Sequence, residues 1–322
     1  MAGYEPQAIE AKWQALWAKE ATWEVANPGQ TRQEAGLPDT AFVFCCFNGS
    51  QKISRFTFDR WMQILARVPD SVLWLLDTSE GAKDRLRMHA QANGVAGERI
   101  IFAPRQGNAA HLARYPLADL FLDSAPYGAH TTASDALFMR VPVLTLSGRS
   151  FASRVCGSLT RSAGLPDLVV MTVADYVERA VALGNDRTAL AGYQEALALR
   201  RSSCDLFNME LLVHRLEGLY QTMADEYRSG QLPRPDLSNL AAYHEAAIEH
   251  DHDAQEMLSI ADYEASYKSR LARLHLARPL QPDIRLWSQA DIALAEQASV
   301  QTNNPQSEIA DSFAMIRRRA SA

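Results

Sequence analysis

The sequence predicts an α/β protein: a Rossmann-like, doubly wound parallel sheet followed by a helical C-terminal extension. Three observations predict it. Between about residues 41 and 186, short and almost wholly apolar runs alternate with amphipathic segments, the pattern of strands buried on both faces and joined by helices. Polar or glycine- and proline-containing turns, Asn48-Gly49, Pro104 to Asn108 and Asp123 to His130, follow the strands, where ligands bind in such sheets. Beyond about residue 186 the strand signal stops.

Taken in order, Ala41 to Phe47 reads as a buried strand, followed by a helix over roughly Thr57 to Val68. Val72 to Leu76 is a second strand, with a helix over about Ala82 to Asn93. Arg99 to Ala103 and Ala118 to Leu122 are strands separated by a short helix around His111. Val141 to Leu146 and Leu168 to Val170 complete the series, with helices near Phe151 to Ala163 and Val173 to Leu183. Right-handed crossovers then wind the chain over both faces of the sheet. Thr188 to Arg201 and Cys204 to Tyr227 read as helices, the second with an apolar stripe of Leu206, Met209, Leu212, Leu216 and Leu219. Gly230 to Asp236 breaks it, Leu237 to Arg278 is helical again, and the last thirty or so residues are polar and read as frayed. The boundaries expected are a leader over 1–31, the sheet domain over 32–186 and the extension over 187–322.

The 322 residues suffice for one large or two ordinary domains. With 47% hydrophobic and 22% charged residues, the chain has the make-up of a soluble globular protein. A net charge of −6 argues against a nucleic-acid partner bound through a basic surface. The four cysteines, Cys45, Cys46, Cys156 and Cys204, show no CxxC pairing, so neither a disulfide framework nor a zinc site is indicated. No apolar run reaches the length of a membrane span and no signal peptide is visible. The location expected is the cytoplasm. His250-Asp251-His252-Asp253 suggests a metal site on composition, but on a helix residues i and i+2 face different ways, and a solvated acidic stretch fits better.

The most informative stretch is L-D-S-A-P-Y-G-A-H-T-T-A-S-D, Leu122 to Asp135. An apolar run ends in Asp123, a Pro/Gly turn follows, and His130-Thr131-Thr132 opens a segment with helical spacing. A strand that passes through a turn into a helix start gathers free backbone N–H groups and the positive end of a helix dipole, a natural anion site. The Thr131 and Thr132 hydroxyls and the His130 imidazole would surround a phosphate docked there.

Four blocks carry a resemblance: F-V-F-C-C-F-N-G-S-Q-K-I (42–53), W-M-Q-I-L-A-R-V-P-D-S-V-L-W-L-L (61–76), R-I-I-F-A-P (99–104) and L-A-D-L-F-L-D-S-A-P-Y-G-A-H-T-T-A-S-D-A-L (117–137), continued by V-P-V-L-T-L-S-G-R-S-F-A-S-R-V (141–155). In order and spacing they resemble the C-terminal catalytic lobe of protein O-linked N-acetylglucosamine transferases, SPINDLY-like members included, over roughly residues 32 to 280. The resemblance implies one lobe of a two-lobed GT-B glycosyltransferase that moves N-acetylglucosamine from UDP-GlcNAc to Ser or Thr hydroxyls of acceptor proteins. It implies inversion at the anomeric carbon and no metal or other cofactor. A diphosphate leaving without a metal must meet a cation and oriented N–H dipoles.

By the same resemblance Lys52, in F-N-x-x-x-K-I, contacts the diphosphate and stabilises the leaving group. By itself a lysine after a strand is ordinarily a solvated charge. His130, Thr131 and Thr132 match the diphosphate-binding helix start, with His130 counted beside Lys52 as catalytic, although Thr is also a common N-cap. Asp135 matches the residue that holds the ribose hydroxyls; a carboxylate in the first turns of a helix also has a plain dipole role. His111 and Arg114 match residues lining uracil and ribose, the backbone near Gln106 would face the uracil edge, and Gly49 lies in the donor loop.

The sequence also departs from the family. Gly49 stands where Gln or Asn is common, Asn108 replaces a lysine near the ribose, and Ala129 and Ala133 stand where glycines are frequent. Losing that lysine removes a charge-assisted hydrogen bond of roughly 1.5–3 kcal/mol. A fucosyltransferase using GDP-fucose, as in plant SPINDLY proteins, therefore stays open. So does a non-catalytic nucleotide-sugar or protein-binding module. Only about forty residues precede F-N-x-x-x-K-I, so an N-terminal lobe or repeat protein is expected as a separate partner, and the chain alone is expected to bind nucleotide poorly and transfer little sugar. Residues 1–26 resemble the start of a leucyl-tRNA synthetase, with Ile9, Trp13, Leu16 and Trp17 on one face of an amphipathic helix, but H-I-G-H and K-M-S-K-S do not occur.

Overall fold

The computed structural model describes residues 6–20, 31–201, 203–230, 239–251, 254–281 and 293. Two compact units divide the chain, Met1–Glu217 and Gly218–Ala322. Six parallel strands form the sheet of the first unit: β1 (Phe42–Cys46), β2 (Ser71–Leu76), β3 (Ile100–Ala103), β4 (Leu120–Leu122), β5 (Val143–Leu146) and β6 (Val169–Val170). Their order is β3-β2-β1-β4-β5-β6. The chain thus moves outward one way from β1 and the other way from β4, and the switch point lies between those two strands.

Around the sheet run α2 (Arg55–Arg67), α3 (Glu80–Ala92), α4 (Asn108–Arg114), α5 (Thr131–Phe138), α6 (Phe151–Ser162), α7 (Val173–Asn185) and α8 (Arg187–Arg200), with α1 (Pro6–Glu20) ahead of it. Every residue of β1, β4 and β5 is buried, which explains their unbroken apolar sequences: side chains on both faces meet helices. Phe44 sits opposite Leu73 of β2 and Leu120 of β4. The helix starts follow from capping chemistry: the side chains of Ser54, Ser150, Thr172 and Asp186 accept first-turn amides of α2, α6, α7 and α8.

Trp61 of α2 is buried and donates its indole N–H to Tyr176 of α7 at 3.1 Å, which joins two helices far apart in sequence. At the N-terminal end of the switch point, Asp119 accepts the Val43 amide at 2.7 Å and Arg32 at 2.8 Å. Arg32 also reaches Leu117 O and Ala41 O at 3.0 and 2.9 Å, so one guanidinium pins the starts of β1 and β4 together.

The first compact unit, which holds the sheet, continues past residue 186 through α8. Leu190 and Leu197 of α8 are buried, and Arg187 donates to Thr40 O at 2.8 Å. The expected helix from Cys204 begins only at Met209, as α9 (Met209–Arg228), where Asn208 Oδ1 accepts the Leu211 amide. Its stripe is present but not covered: Met209, Leu212, Leu216 and Leu219 are exposed and Leu206 is half-buried. In the second unit the expected helical stretch is two helices, α10 (Leu240–Ile248) and α11 (Tyr263–Ala277). Ala242, Ala246, Leu271 and Ala272 are buried, and Arg270 donates to Ala246 O at 3.0 Å. In α1, Ile9 and Trp13 are exposed. Of the break at Gly230 to Asp236, residues 231–236 lie outside the described residues, as do His252, Asp253 and all of the polar tail but residue 293.

One close approach is testable. A Cβ on Gly184 of α7 would stand 2.9 Å from Val68 Cγ2 and 3.0 Å from Phe44 Cζ. Gly184→Val is expected to lower stability by roughly 1–3 kcal/mol in urea unfolding through overpacking; an unchanged midpoint would refute the tight α7 contact.

Candidate functional site

The site lies at the carboxyl ends of β1 and β4. Each strand passes from apolar residues into a buried polar one: Phe47 into Asn48 after β1, Leu122 into Asp123 after β4. Asp123 is 3% exposed. Its Oδ1 accepts the Ser124 and Ala129 amides at 2.9 and 2.6 Å, with Asn48 Nδ2 at 3.5 Å, and its Oδ2 accepts the Thr145 hydroxyl of β5 at 2.7 Å. Burial still pushes its carboxyl above the ordinary range, since these donors only partly oppose the loss of water.

This carboxylate shapes the turn that follows. Ala125-Pro126 is a cis peptide, and Ala125 O accepts the hydroxyls of Ser54 and Thr57 at 2.9 and 2.7 Å, which clamps the turn onto the start of α2. Tyr176 OH donates to Asp123 O at 2.8 Å from the α7 side. Gly128 cannot carry a side chain here, because a Cβ would meet Asp123 Oδ2 at 2.9 Å and Ala152 O at 3.3 Å.

The turn delivers the residues singled out in the sequence. His130 is the N-cap of α5, with Thr131 and Thr132 opening its first turn; amides at those positions have no intrahelical acceptor. Thr132 donates its hydroxyl to Asn48 Oδ1, and Asn48 Nδ2 donates to Ser124 Oγ at 2.8 Å, so the loops after β1 and β4 are tied side chain to side chain. Lys52 ends a single turn of 3-10 helix, Ser50–Lys52, after β1. Its Nζ donates to Gly128 O at 3.2 Å and lies 4.0 Å from the centre of the Tyr127 ring. Burial lowers its pKa, opposed by the nearby Asp123 carboxylate. Tyr127 stacks on His130 at 5.3 Å, and His130 Nε2 donates to Ala152 O at 3.4 Å.

The α4 residues join from one side. The His111 ring meets Phe47 and Tyr115 edge-on, each at 5.4 Å, and Tyr115 OH donates to Thr132 O at 3.2 Å. Burial and the neighbouring Arg114 hold the His111 imidazole below its usual pKa. The Arg114 side chain is buried: it donates to Pro104 O at 2.8 Å and lies over Phe47, with Nη2 unpartnered. Asp135 is half-buried one turn into α5, and burial raises its carboxyl pKa. Gln106 is exposed on the β3–α4 connection. Gly49 precedes the turn that bears Lys52, with the Gln51 side chain folded against it.

One ammonium group, a helix start and hydroxyls lie together here, groups of the kind that attract an anion. The structure thus gathers Lys52, His130, Thr131 and Thr132, sets His111 and Asp135 beside them, and leaves Gln106 on the exposed connection. Sequence reading placed Asn48, Asp123 and Tyr127 in the strand-end turns without assigning their side chains a role. The signal for Asn48 and Asp123 was the abrupt change from apolar to polar at the ends of two strands. Among the described residues no group of His, Cys, Asp or Glu is arranged to hold a metal ion, and no helix is long and apolar enough to cross a membrane.

Asp123→Ala leaves the Ser124 and Ala129 amides and the Thr145 hydroxyl without their acceptor. It is expected to cost roughly 1–3 kcal/mol of stability, read as a lower urea midpoint; parental stability would show that the carboxylate does not organise the turn.

The comparisons bear on this geometry. The family model described as glycosyl transferase family 41 matches residues 15–216, from within α1 to within α9. The probable UDP-N-acetylglucosamine–peptide N-acetylglucosaminyltransferase SEC of Arabidopsis thaliana is 36% identical over 219 residues, which is 67% of this chain and 22% of that protein. The UDP-N-acetylglucosamine–peptide N-acetylglucosaminyltransferase of Caenorhabditis elegans is 36% identical over 65% of this chain and 18% of its own length. The probable SPINDLY transferase of Solanum lycopersicum is 30% identical over 59% of this chain and 21% of its own length. Among solved structures, a Thermobaculum terrenum O-GlcNAc transferase mutant superposes with a TM-score of 0.53 at 35% identity, over 56% of this chain and 36% of that one. The chain therefore spans about a fifth of the length of these curated relatives. Sequence match along the whole sheet and agreement of backbone with that solved structure lead to one conclusion: the chain belongs to glycosyl transferase family 41.

Proposed function

We propose that this chain is the donor-binding lobe of a protein O-glycosyltransferase that uses UDP-N-acetylglucosamine and glycosylates Ser or Thr hydroxyls with inversion and without a metal. The observation that carries the reading is the meeting of Lys52 with the start of α5 at the switch point, where Lys52 Nζ lies 3.2 Å from Gly128 O, two residues before His130. The names of the relatives support the choice of donor and acceptor. In the reaction the acceptor oxygen bonds to the anomeric carbon as the bond from that carbon to the diphosphate breaks, and the hydroxyl proton is released to solvent. Charge building on the departing diphosphate is met by Lys52 and by the amides and hydroxyls of Thr131 and Thr132, with His130 at the N-cap. Asp135 takes the ribose hydroxyls; His111, Arg114 and the backbone at Gln106 line the base side, and Gly49 sits in the donor loop. An N-terminal catalytic lobe, as a partner of this one, supplies the acceptor side of the cleft. The cytoplasm is the compartment that fits buried, unpaired Cys45, Cys46 and Cys156.

Calorimetric titration tests this. UDP is expected to bind in preference to GDP, and Lys52→Ala to weaken binding about 10- to 100-fold, the worth of a charge-assisted contact (roughly 1.5–3 kcal/mol). His130→Ala is expected to weaken it as well. Preference for GDP would replace the donor with GDP-fucose, and parental behaviour of Lys52→Ala would leave a binding module without this leaving-group chemistry.

The same titration has a pH signature. Only the protonated ammonium attracts diphosphate, and burial lowers the Lys52 pKa from the ordinary 10.5. Affinity should therefore start to fall at a lower pH than for an ordinary lysine as the solution is made alkaline; a decline that begins only near the ordinary value would contradict it.

A further inference from the structure

We infer that Tyr127 is a positioning residue of the donor site, its ring holding the Lys52 ammonium and the His130 imidazole in place before the ligand arrives. The inference rests on the donor-site reading above. Tyr127 is 45% exposed, so its ring is no core element. Instead it lies 4.0 Å from Lys52 Nζ and stacks on His130 with the ring planes 28° apart. The negative face of an aromatic ring attracts an ammonium group, most strongly for Trp and scarcely at all for an aliphatic side chain. A lysine left free loses much rotamer freedom when it binds a phosphate; one already laid on a ring has lost it beforehand.

The backbone completes the frame. Lys52 Nζ donates to Gly128 O at 3.2 Å, and the Gly128 amide and His130 Nε2 both donate to Ala152 O, at 3.0 and 3.4 Å. Phe151 meets His130 edge-on at 6.0 Å and extends the aromatic row. Tyr127 follows the clamped Ala125-Pro126 peptide, so the ring is carried on a fixed turn. The ring, not the hydroxyl, makes both contacts. Phe should therefore substitute for Tyr127, and Leu, of similar bulk but without a π face, should not.

The test is a calorimetric UDP titration of the full chain and its variants. Tyr127→Phe and Tyr127→Trp are expected to keep most of the affinity, and Tyr127→Leu to lose about 2- to 30-fold. In a Lys52→Ala background the Leu substitution should cost much less, because the two residues act as a unit. Parental affinity in Tyr127→Leu, or an equal loss with and without Lys52, would overturn the inference while leaving the donor site standing. If Lys52→Ala binds UDP as the parent does, the donor-site reading itself falls. A ligand-free measurement then decides whether Tyr127 holds Lys52. In spectra of 13C-lysine-labelled protein the Lys52 ε-protons should be shifted upfield by the ring, with the shift kept in Tyr127→Phe and lost in Tyr127→Leu. No upfield shift in the parent overturns the inference.

Discussion

The buried carboxylate of Asp123 is the constraint on which the site depends. It sits where β4 ends, at the one place in the sheet where neighbouring strands lead their loops apart. Donors from both loops and from β5 converge on its oxygens, and its carbonyl receives the hydroxyl of Tyr176 on α7. A carboxylate taken out of water is tolerated only when so surrounded. Fold stability and loop shape are therefore coupled through one residue. Asp119 does the matching work three residues before β4 ends, bonding to the start of β1. The strand is thus held by an acid at each end.

The electrostatic logic follows from this. The chain carries a net charge of −6, yet the crevice presents an ammonium group and a helix start. The Asp123 carboxylate faces inward and is consumed by internal donors, so its charge organises the turn rather than standing open to an anion. Lys52 sits close enough to feel that charge, which opposes the lowering of its pKa by burial. The proposed binding of a diphosphate without a metal calls for this kind of balance, in which the cation is not neutralised by a direct ion pair.

The sheet was legible in the sequence because parallel strands buried on both faces must be apolar throughout, and each of the six expected strands from Ala41 to Val170 appears within two residues of its expected limits. The helices after Ser150 and Thr172 begin where expected, at Phe151 and Val173, whereas α2 and α3 begin two residues before the expected Thr57 and Ala82, since a cap is one residue long and its signal is local. The extension was harder. Periodicity in the stretch from Leu237 to Arg278 does not register the interruption between α10 and α11. Lys52, His130, Thr131 and Thr132 were singled out through motif order and the strand-turn-helix pattern, and the structure brings them together. Tyr127 escaped because an aromatic in a turn has no periodic partner, and its contacts with Lys52 and His130 arise only when two distant loops meet. Arg114 was singled out as lining the ligand; that its guanidinium also fastens Pro104 O is a contact that spacing along a short helix cannot reveal.

The connection from β3 into α4 offers a different kind of consequence. Every residue from Pro104 to Ala110 is exposed, and Arg114 fastens the segment only at its first carbonyl. Substitutions along it cost the sheet almost nothing, because no packed side chain is disturbed. The stretch assigned to the nucleobase is therefore also the stretch most open to drift. Under the proposed reading, a lineage built on this scaffold could exchange one base for another by altering a few surface residues, while the turn between β4 and α5, locked through Asp123 and Gly128, would stay as it is.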